Sequence, residues 1–320
     1  AMSELLDALE LHPFRIPMRH RFRRVDHREG VLIRGPAGWG EFSPFPDYPP
    51  EVTTRWLAAA LEAACSALPE PGRAAIPVNV TVPAVAPLVA RGLVLESGAT
   101  TAKVKVGEPG QAPIEDEDRL EAVRDALGPD GKIRVDVNAS WDLDTATERL
   151  ATFSKFGLEY AEQPVATLEE MIELKKRTDV LLAADELVRL RPDPLEVAVS
   201  GAADLVVLKV QPLGGVTRAL DIAARAGVPV VVSSALETSI GIYTGLLVAS
   251  LLPELPYACG LGTVALIEGD PTRDPLVSLD GMLEVRRPEP DPELLARWRP
   301  ERDRAAEMLR KVRSAAEVLT

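Results

Sequence analysis

Histidine is nearly missing from this chain. There are three, His12, His20 and His27, and none follows residue 27. A Ser-His-Asp triad or a His-rich zinc site in the main body is thereby excluded. Proton transfer there must fall to carboxylates, lysine, tyrosine or cysteine. Cysteine is scarce as well. Cys65 and Cys259 form no CxxC pattern and no disulfide framework, which suits a reducing cytoplasm. Cys259 reads as a small buried hydrophobe rather than a nucleophile. No apolar run reaches the roughly 18 residues that a membrane helix needs, and the opening AMSELLDALE has no signal-peptide core. Basic residues are outnumbered, 36 Lys and Arg against 49 Asp and Glu, for a net charge of −13. That balance argues against nucleic acid as the main partner, since phosphate binding needs a basic surface. Lysine is the rarer cation, 8 against 28 arginines. A lysine inside an apolar strand therefore stands out, because a buried lysine can lose its proton and an arginine cannot.

What is present is ordinary globular material, 46% hydrophobic over 320 residues, enough for two domains or one barrel with additions. The middle of the chain alternates short Val/Ile/Leu-rich strands with helical patterns. The strands read as Val78–Val82, Thr101–Val106, Lys132–Val137, Leu158–Glu162, Leu181–Asp185, Leu205–Val210, Val228–Ser233 and Tyr257–Gly260. Helices with apolar residues at 3–4 spacing read as Glu115–Leu127, Thr145–Phe156, Leu168–Arg177, Val216–Ala226 and Ile240–Leu251. The stretch Pro194–Ser200 is a weaker helix. Eight strands alternating with helices predict an α/β fold, a TIM-type (β/α)7β barrel. A doubly wound sheet is disfavoured because Val82-Pro83-Ala84-Val85 stands where a Gly-rich phosphate loop would be. The first 76 residues read as an α+β capping domain, with strands Leu9–Ile16 and Val31–Glu41, a turn at Gly35-Pro36-Ala37-Gly38 and a helix Glu51–Leu68. Residues 77–263 form the barrel. Residues 264–320 fold back onto the cap and end in a helix near Glu301–Leu319.

The chemistry sits at strand ends. Residues two apart on a strand share a face, so Lys103 and Lys105 point the same way. Asp136, Glu162, Asp185 and Lys209 follow on successive strands at spacings of 26, 23 and 24. One βα unit per step lines them up at the C-terminal mouth of a barrel, where active sites lie. Three converging carboxylates repel one another, and a hard divalent cation, most simply Mg²⁺, resolves this with oxygen ligands. Two lysines flank it. This is a constellation for removing a proton next to a carboxylate, with the cation stabilising the charge that forms. Burial and nearby cations lower the pKa of the lysine that acts as base; Lys103, two residues before Lys105, supplies one such charge and the metal another. Arg134 is either an active-site cation that binds substrate or the structural partner of a neighbouring acid. Asn138 orients a metal-bound water or caps the next helix. Glu186 is an acid behind Asp185 or a surface residue. The basic stretch Arg19–Arg28 is a solvated face or an attractor for a dianionic substrate.

The KxK pair, then Asp, Glu and Asp, then Lys on the sixth strand resemble the muconate-lactonizing subgroup of the enolase superfamily. The resemblance covers most of the chain, cap included. Within that subgroup, Met18-Arg19-His20-Arg21-Phe22-Arg23, Ile133–Asn138, Ser233–Ser239 and Gly260-Leu261-Gly262-Thr263 are most similar to the o-succinylbenzoate synthase family of menaquinone biosynthesis, actinobacterial type. The resemblance implies a lyase that performs a syn dehydration of a small-molecule carboxylate, a succinyl-hydroxycyclohexadiene carboxylate, with Mg²⁺ stabilising the enediolate. It implies that Lys105 removes the proton and helps protonate the leaving hydroxyl, that Lys209 sits across the ring as a cation, and that Lys103 neutralises a carboxylate oxygen. Ser233 and Gly260 would receive the succinyl carboxylate through their backbone groups. It leaves open N-succinylamino acid racemase, dipeptide epimerase and muconate cycloisomerase. A Schiff-base aldolase is the alternative of a different class. A cytoplasmic monomer or small homo-oligomer is expected, with no membrane or nucleic-acid partner.

Overall fold

A computed structural model describes residues 1–319 of the chain. Thr320, the last residue of the C-terminal segment, lies outside the described residues.

The cap begins with a three-stranded antiparallel sheet, β1 (Glu10–Phe22), β2 (Val25–Gly35) and β3 (Gly38–Phe42), in the order β1-β2-β3. Pro13 and Pro17 are tolerated in β1 because it is an edge strand. The first hairpin is longer than the sequence pattern indicated. Pairing continues to Phe22↔Val25, so the basic stretch forms the tip of a ribbon rather than a loop. Helix α1 (Pro50–Cys65) lies on this sheet. Ala60 and Ala64, one turn apart on α1, meet Gly40 and Gly35, where a Cβ would collide with their carbonyl oxygens. Small residues on both sides bring helix and sheet into close contact.

Seven parallel strands form the barrel: β4 (Val80–Val82), β5 (Thr101–Lys105), β6 (Lys132–Asp136), β7 (Leu158–Glu162), β8 (Leu182–Ala184), β9 (Leu205–Leu208) and β10 (Val230–Val232). The expected eighth strand shrinks to two single bridges. Cys259 pairs with Val78 and Gly260 with Ser233, which joins β10 back to β4. Pro256 just upstream has no N–H to extend the pairing. Helices α2 (Pro87–Ser97), α3 (Pro113–Leu127), α4 (Leu143–Phe153), α5 (Leu168–Lys175), α6 (Val216–Arg225) and α7 (Ser239–Leu251) cover the outside. The sequence pattern missed α2, and the weak helix after β8 is reduced to Glu196–Val199. Helix α7 is apolar around its whole circumference and buried from Ser239 to Ser250, as such a helix must be.

The last helix, α8 (Arg302–Leu319), places Met308, Val312 and Ala315 in the cap core beside Phe14, Ile33 and Trp56. Cap and barrel also share a buried polar seam. The Glu41 carboxylate accepts from the N–H groups of Thr238 at 3.1 Å and Gly241 at 3.2 Å, at the start of α7. It also accepts from the hydroxyls of Ser43, at 2.6 Å, and Thr238. Arg28, fully buried, donates to the carbonyls of Leu236 at 2.9 Å, Ala235 at 3.2 Å and Ser43 at 2.5 Å. These bonds fix the 234–238 loop over the barrel mouth.

Candidate active site

Strand parity decides which side chains enter the barrel. Tyr160, Val207 and Val231 face inward and form a small interior cluster with Ala183 and Leu205. Two residues further on, the same face carries Glu162, Lys209 and Ser233. Lys105 on β5 pairs with Asp136 on β6, and Asp136 with Glu162, at that level, while Lys103 pairs with Arg134 one layer below and reaches Glu162 with its side chain. Asp185 directly follows β8. All six ionisable groups are buried, none more than 7% exposed.

Ammonium groups hold the carboxylates apart. Lys103 Nζ lies 3.3 Å from Glu162 and 3.6 Å from Asp136, and Lys209 Nζ lies 2.7 Å from Asp185. With lysines so placed, no three His, Cys, Asp or Glu side chains among the described residues converge as a ready-made metal cage. Burial alone would lower Lys103, but Glu162 and Asp136 outweigh it and keep the amine protonated. Lys105 differs. Its Nζ donates to the Val137 carbonyl at 3.2 Å, and its pKa falls below the ordinary value, chiefly through burial. The carboxylates of Asp136, Glu108 and Glu186 oppose that fall, and the cation that reinforces it is Arg23, from the cap. Glu162 is pushed up to about 8, first by burial and then by the charge of Asp136. Burial would raise Asp136 and Asp185, yet neighbouring lysines, with Arg189 at Asp185, hold both below the usual carboxylate range.

The turns beyond the strands supply the remaining contacts. Asn138 has a left-handed φ of 50°, and its amide donates to Glu186 at 3.2 Å. It does not cap α4, whose cap is Asp142. Glu186 is partly buried beside Asp185 rather than on the open surface. Asn138 Oδ1 and Glu186 Oε2 are both buried without a hydrogen-bond partner.

Two sequence expectations need correction. Arg134 faces inward but one layer below Asp136. Its guanidinium is held by Glu159 at 2.6 Å, by the Ala258 carbonyl at 2.8 Å and by the face of Tyr160. It braces the barrel floor, so the substrate-binding reading of Arg134 falls and the structural one stands. Gly260 is at the closure, and its backbone groups are spent there. Its N–H donates to Val232 at 2.9 Å, and its carbonyl accepts from the Ser234 N–H at 2.8 Å. The Ser233 N–H is likewise used, by Leu208. Gly260 is glycine because a Cβ would strike the Ser233 hydroxyl.

The chamber above these groups is lined by Lys103, Asp136, Asn138, Lys209 and Ser233, as the strand ends indicated, and also by Thr81, Ser234 and Thr263. Phe22, Arg23 and Phe45 close it from the cap. Sequence reasoning did not single out Thr81 or Phe45; Phe22, Arg23, Ser234 and Thr263 lay in stretches that carried the resemblance, and Arg23 also in the basic stretch weighed as an attractor for a dianion, but only tertiary packing brings the cap residues over the barrel. It also missed Arg189, which donates to Asp185 at 3.1 Å and to the Tyr48 hydroxyl at 2.8 Å. The spacing of four between Asp185 and Arg189 was a usable signal.

Residues 14–64 match the Enolase N-terminal domain-like family and residues 88–291 the Enolase C-terminal domain-like family. The chain is 56% identical over 274 residues to the o-succinylbenzoate synthase of Thermobifida fusca, covering 86% of each. It is 50% identical to that of Mycolicibacterium smegmatis, covering 92% of this chain and 91% of the relative. The chain belongs to the o-succinylbenzoate synthase family of the enolase superfamily. It is an enzyme, a lyase, and membership implies a divalent metal ion. Among solved structures, the muconate lactonizing enzyme of Pseudomonas fluorescens superposes with a TM-score of 0.77 at 20% identity, over 91% of this chain and 98% of that one. The L-Ala-D/L-Glu epimerase of Bacillus subtilis gives 0.73 at 21%, over 88% and 96%. These likenesses establish the cap-and-barrel fold. The donor set fits the metal the family implies. Three buried carboxylates could supply hard oxygen ligands, one of them is pushed upward first by burial and then by its neighbour's charge, and two further buried oxygens lack partners.

Proposed function

We propose that this chain is a Mg²⁺-dependent o-succinylbenzoate synthase that dehydrates a succinyl-hydroxycyclohexadiene carboxylate to the aromatic product. The observation that carries this reading is the 56% and 50% identity, over most of the chain, to relatives bearing that name. Asp136, Glu162 and Asp185 would hold the ion, and Asn138 and Glu186 stand behind them. When bound, the ion offers positive charge to the substrate's ring carboxylate as negative charge builds there.

Lys105 is the base. Its lowered pKa favours the neutral amine that proton removal requires. It takes the proton from the carbon bearing the carboxylate and returns it to the departing hydroxyl on the same face. One C–H and one C–O bond break, water leaves, and the freed electron pair completes the ring's aromatic system. Lys209, on the chamber wall, would act through its charge. Lys103, held protonated by Glu162 and Asp136, supports the carboxylate end. The free thiols Cys65 and Cys259 favour a reducing cytoplasm, with burial pushing Cys259 up to about 11 and out of reactivity.

The test is conversion of the cyclohexadiene substrate to o-succinylbenzoate with added Mg²⁺, with and without chelator. Full turnover in a metal-free preparation, or inactivation by borohydride with substrate present, would reject this reading. The second trial offers an N-succinylamino acid in deuterated water. A dedicated synthase exchanges the α-proton slowly or not at all. Exchange with inversion at rates rivalling dehydration would add racemisation as an activity.

A further inference from the structure

Both oxygens of Asp185 are occupied. Oδ2 accepts from Lys209 Nζ at 2.7 Å, and Oδ1 accepts from Arg189 Nε at 3.1 Å. An entering cation must displace one of these donors, and the two are held very differently. Lys209 lines the chamber and reaches Asp185 on a flexible four-carbon stem. Arg189 stands behind the carboxylate, outside the chamber lining, and is 2% exposed. Its Nη1 donates to the Tyr48 hydroxyl at 2.8 Å, and its Nη2 lies 3.6 Å from Glu186. Its backbone carbonyl accepts from Arg55, on α1, at 3.1 Å. Two cap residues and two acids therefore fix this one side chain and its backbone. Lys209 can yield its oxygen, and Arg189 keeps its own.

The same division recurs at Asp136. Its Oδ1 accepts from the backbone N–H of Asn138 at 3.2 Å, a donor that cannot swing away. Its Oδ2 faces the Lys103 amine at 3.6 Å. At both aspartates, then, a donor built into the fold takes Oδ1 and leaves Oδ2 toward an amine. A carboxylate restrained in this way offers an ion one oxygen rather than two. That restriction separates two common ions. Mg²⁺ is small, demands near-octahedral geometry and is held by few carboxylates, whereas Ca²⁺ takes about six to eight oxygens, often two from one carboxylate.

We propose that Arg189 is a positioning residue that reserves Oδ1 of Asp185, so that the site takes Mg²⁺ in preference to Ca²⁺. This deepens the reading above and rests on its assignment of Asp185 to the ion. Arg189 acts through Asp185, not by contact with substrate. It differs from Arg134, whose guanidinium is spent on Glu159 and the barrel floor. Its effect also differs from that of a cation that only balances charge, which would oppose both divalent ions alike.

Calorimetric titration of the metal-stripped protein, with Mg²⁺ and separately with Ca²⁺, tests the assignment without turnover. Wild type should bind Mg²⁺ the more tightly. Arg189→Met should shift the ratio of the two affinities toward Ca²⁺ by about 10- to 100-fold, the scale at which a hydrogen-bond partner behind a metal ligand acts. Arg189→Lys keeps one charged donor for Oδ1 and should restore part of the ratio. A change of both affinities by the same factor in Arg189→Met, upward from lost repulsion or downward from a loosened site, overturns the proposal. If that variant fails to fold, wild type still decides: Ca²⁺ bound as tightly as Mg²⁺, or more tightly, overturns it. Unaltered binding of both ions in Asp185→Asn removes the metal reading of Asp185 itself, and the role of Arg189 with it.

Discussion

Two lysines two residues apart on one strand are driven to opposite electrostatic ends. Lys103 and Lys105 are both buried, so desolvation pushes each down. Lys103 lies within 3.6 Å of two carboxylates, and Coulomb attraction wins. Lys105 meets a neutral carbonyl and the cation of Arg23, and desolvation wins. Lys105→Ala should therefore cut turnover by about 10²- to 10⁴-fold, the usual worth of a positioned base, with melting temperature near wild type. Lys105→Arg should be as inactive, because a guanidinium keeps the charge but cannot accept the proton. An active Lys105→Arg enzyme would refute the assignment of the base. Asp136→Asn and Glu162→Gln should each weaken Mg²⁺ binding by calorimetry while far-UV circular dichroism stays unchanged. Unaltered metal affinity in both would disprove the ligand assignment.

Glycine governs the elements of the cap. At Gly40 a Cβ would sit well inside contact distance of the Ala60 carbonyl on α1, a backbone atom that cannot rotate away. Gly40→Ala should destabilise the protein by about 1–3 kcal/mol through overpacking, read in a denaturant melt. It should disturb the cap first, since β3 carries Glu41 into the seam with α7. A neutral effect would mean that α1 shifts freely over the sheet. In the barrel, the eighth strand is only two residues long because Cys259 and Gly260 make all the closing bridges.

The molecule as a whole is joined across a seam that contains two buried acids. Burial pushes Glu41 up to about 7, against the opposing bonds from Ser43 and Thr238. Glu237 also rises to about 7, through burial and then the charge of Glu41. In an unfolded chain both would titrate near 4.5. A raised folded value means that their stabilising contribution is complete below about pH 4.5 and is lost as pH climbs to about 7. Glu41→Gln should therefore gain melting temperature relative to wild type as the buffer moves from about pH 5 to about pH 8. A difference that is flat or shrinks over that range would refute the buried, protonated state of this seam.

How much of this was legible beforehand divides by physical cause. Alternating apolar runs and helical spacings are local properties, so the barrel, its strand order and the α+β cap could be read directly. Lys103, Lys105, Asp136, Glu162, Asp185 and Lys209 were legible because period two on a strand and one βα unit per step carry them to one end without knowledge of packing. Depth along the barrel was not legible. Arg134 and Asp136 share a face, yet one layer separates a floor brace from a chamber wall. Whether a backbone group is free was equally hidden, and Gly260 proved to be occupied by closure. The cap's contribution, Phe22, Arg23 and Phe45, lies more than fifty residues upstream of Lys103. Only the tertiary docking of the hairpin, fixed by Arg28, Glu41 and the start of α7, brings those side chains to the mouth.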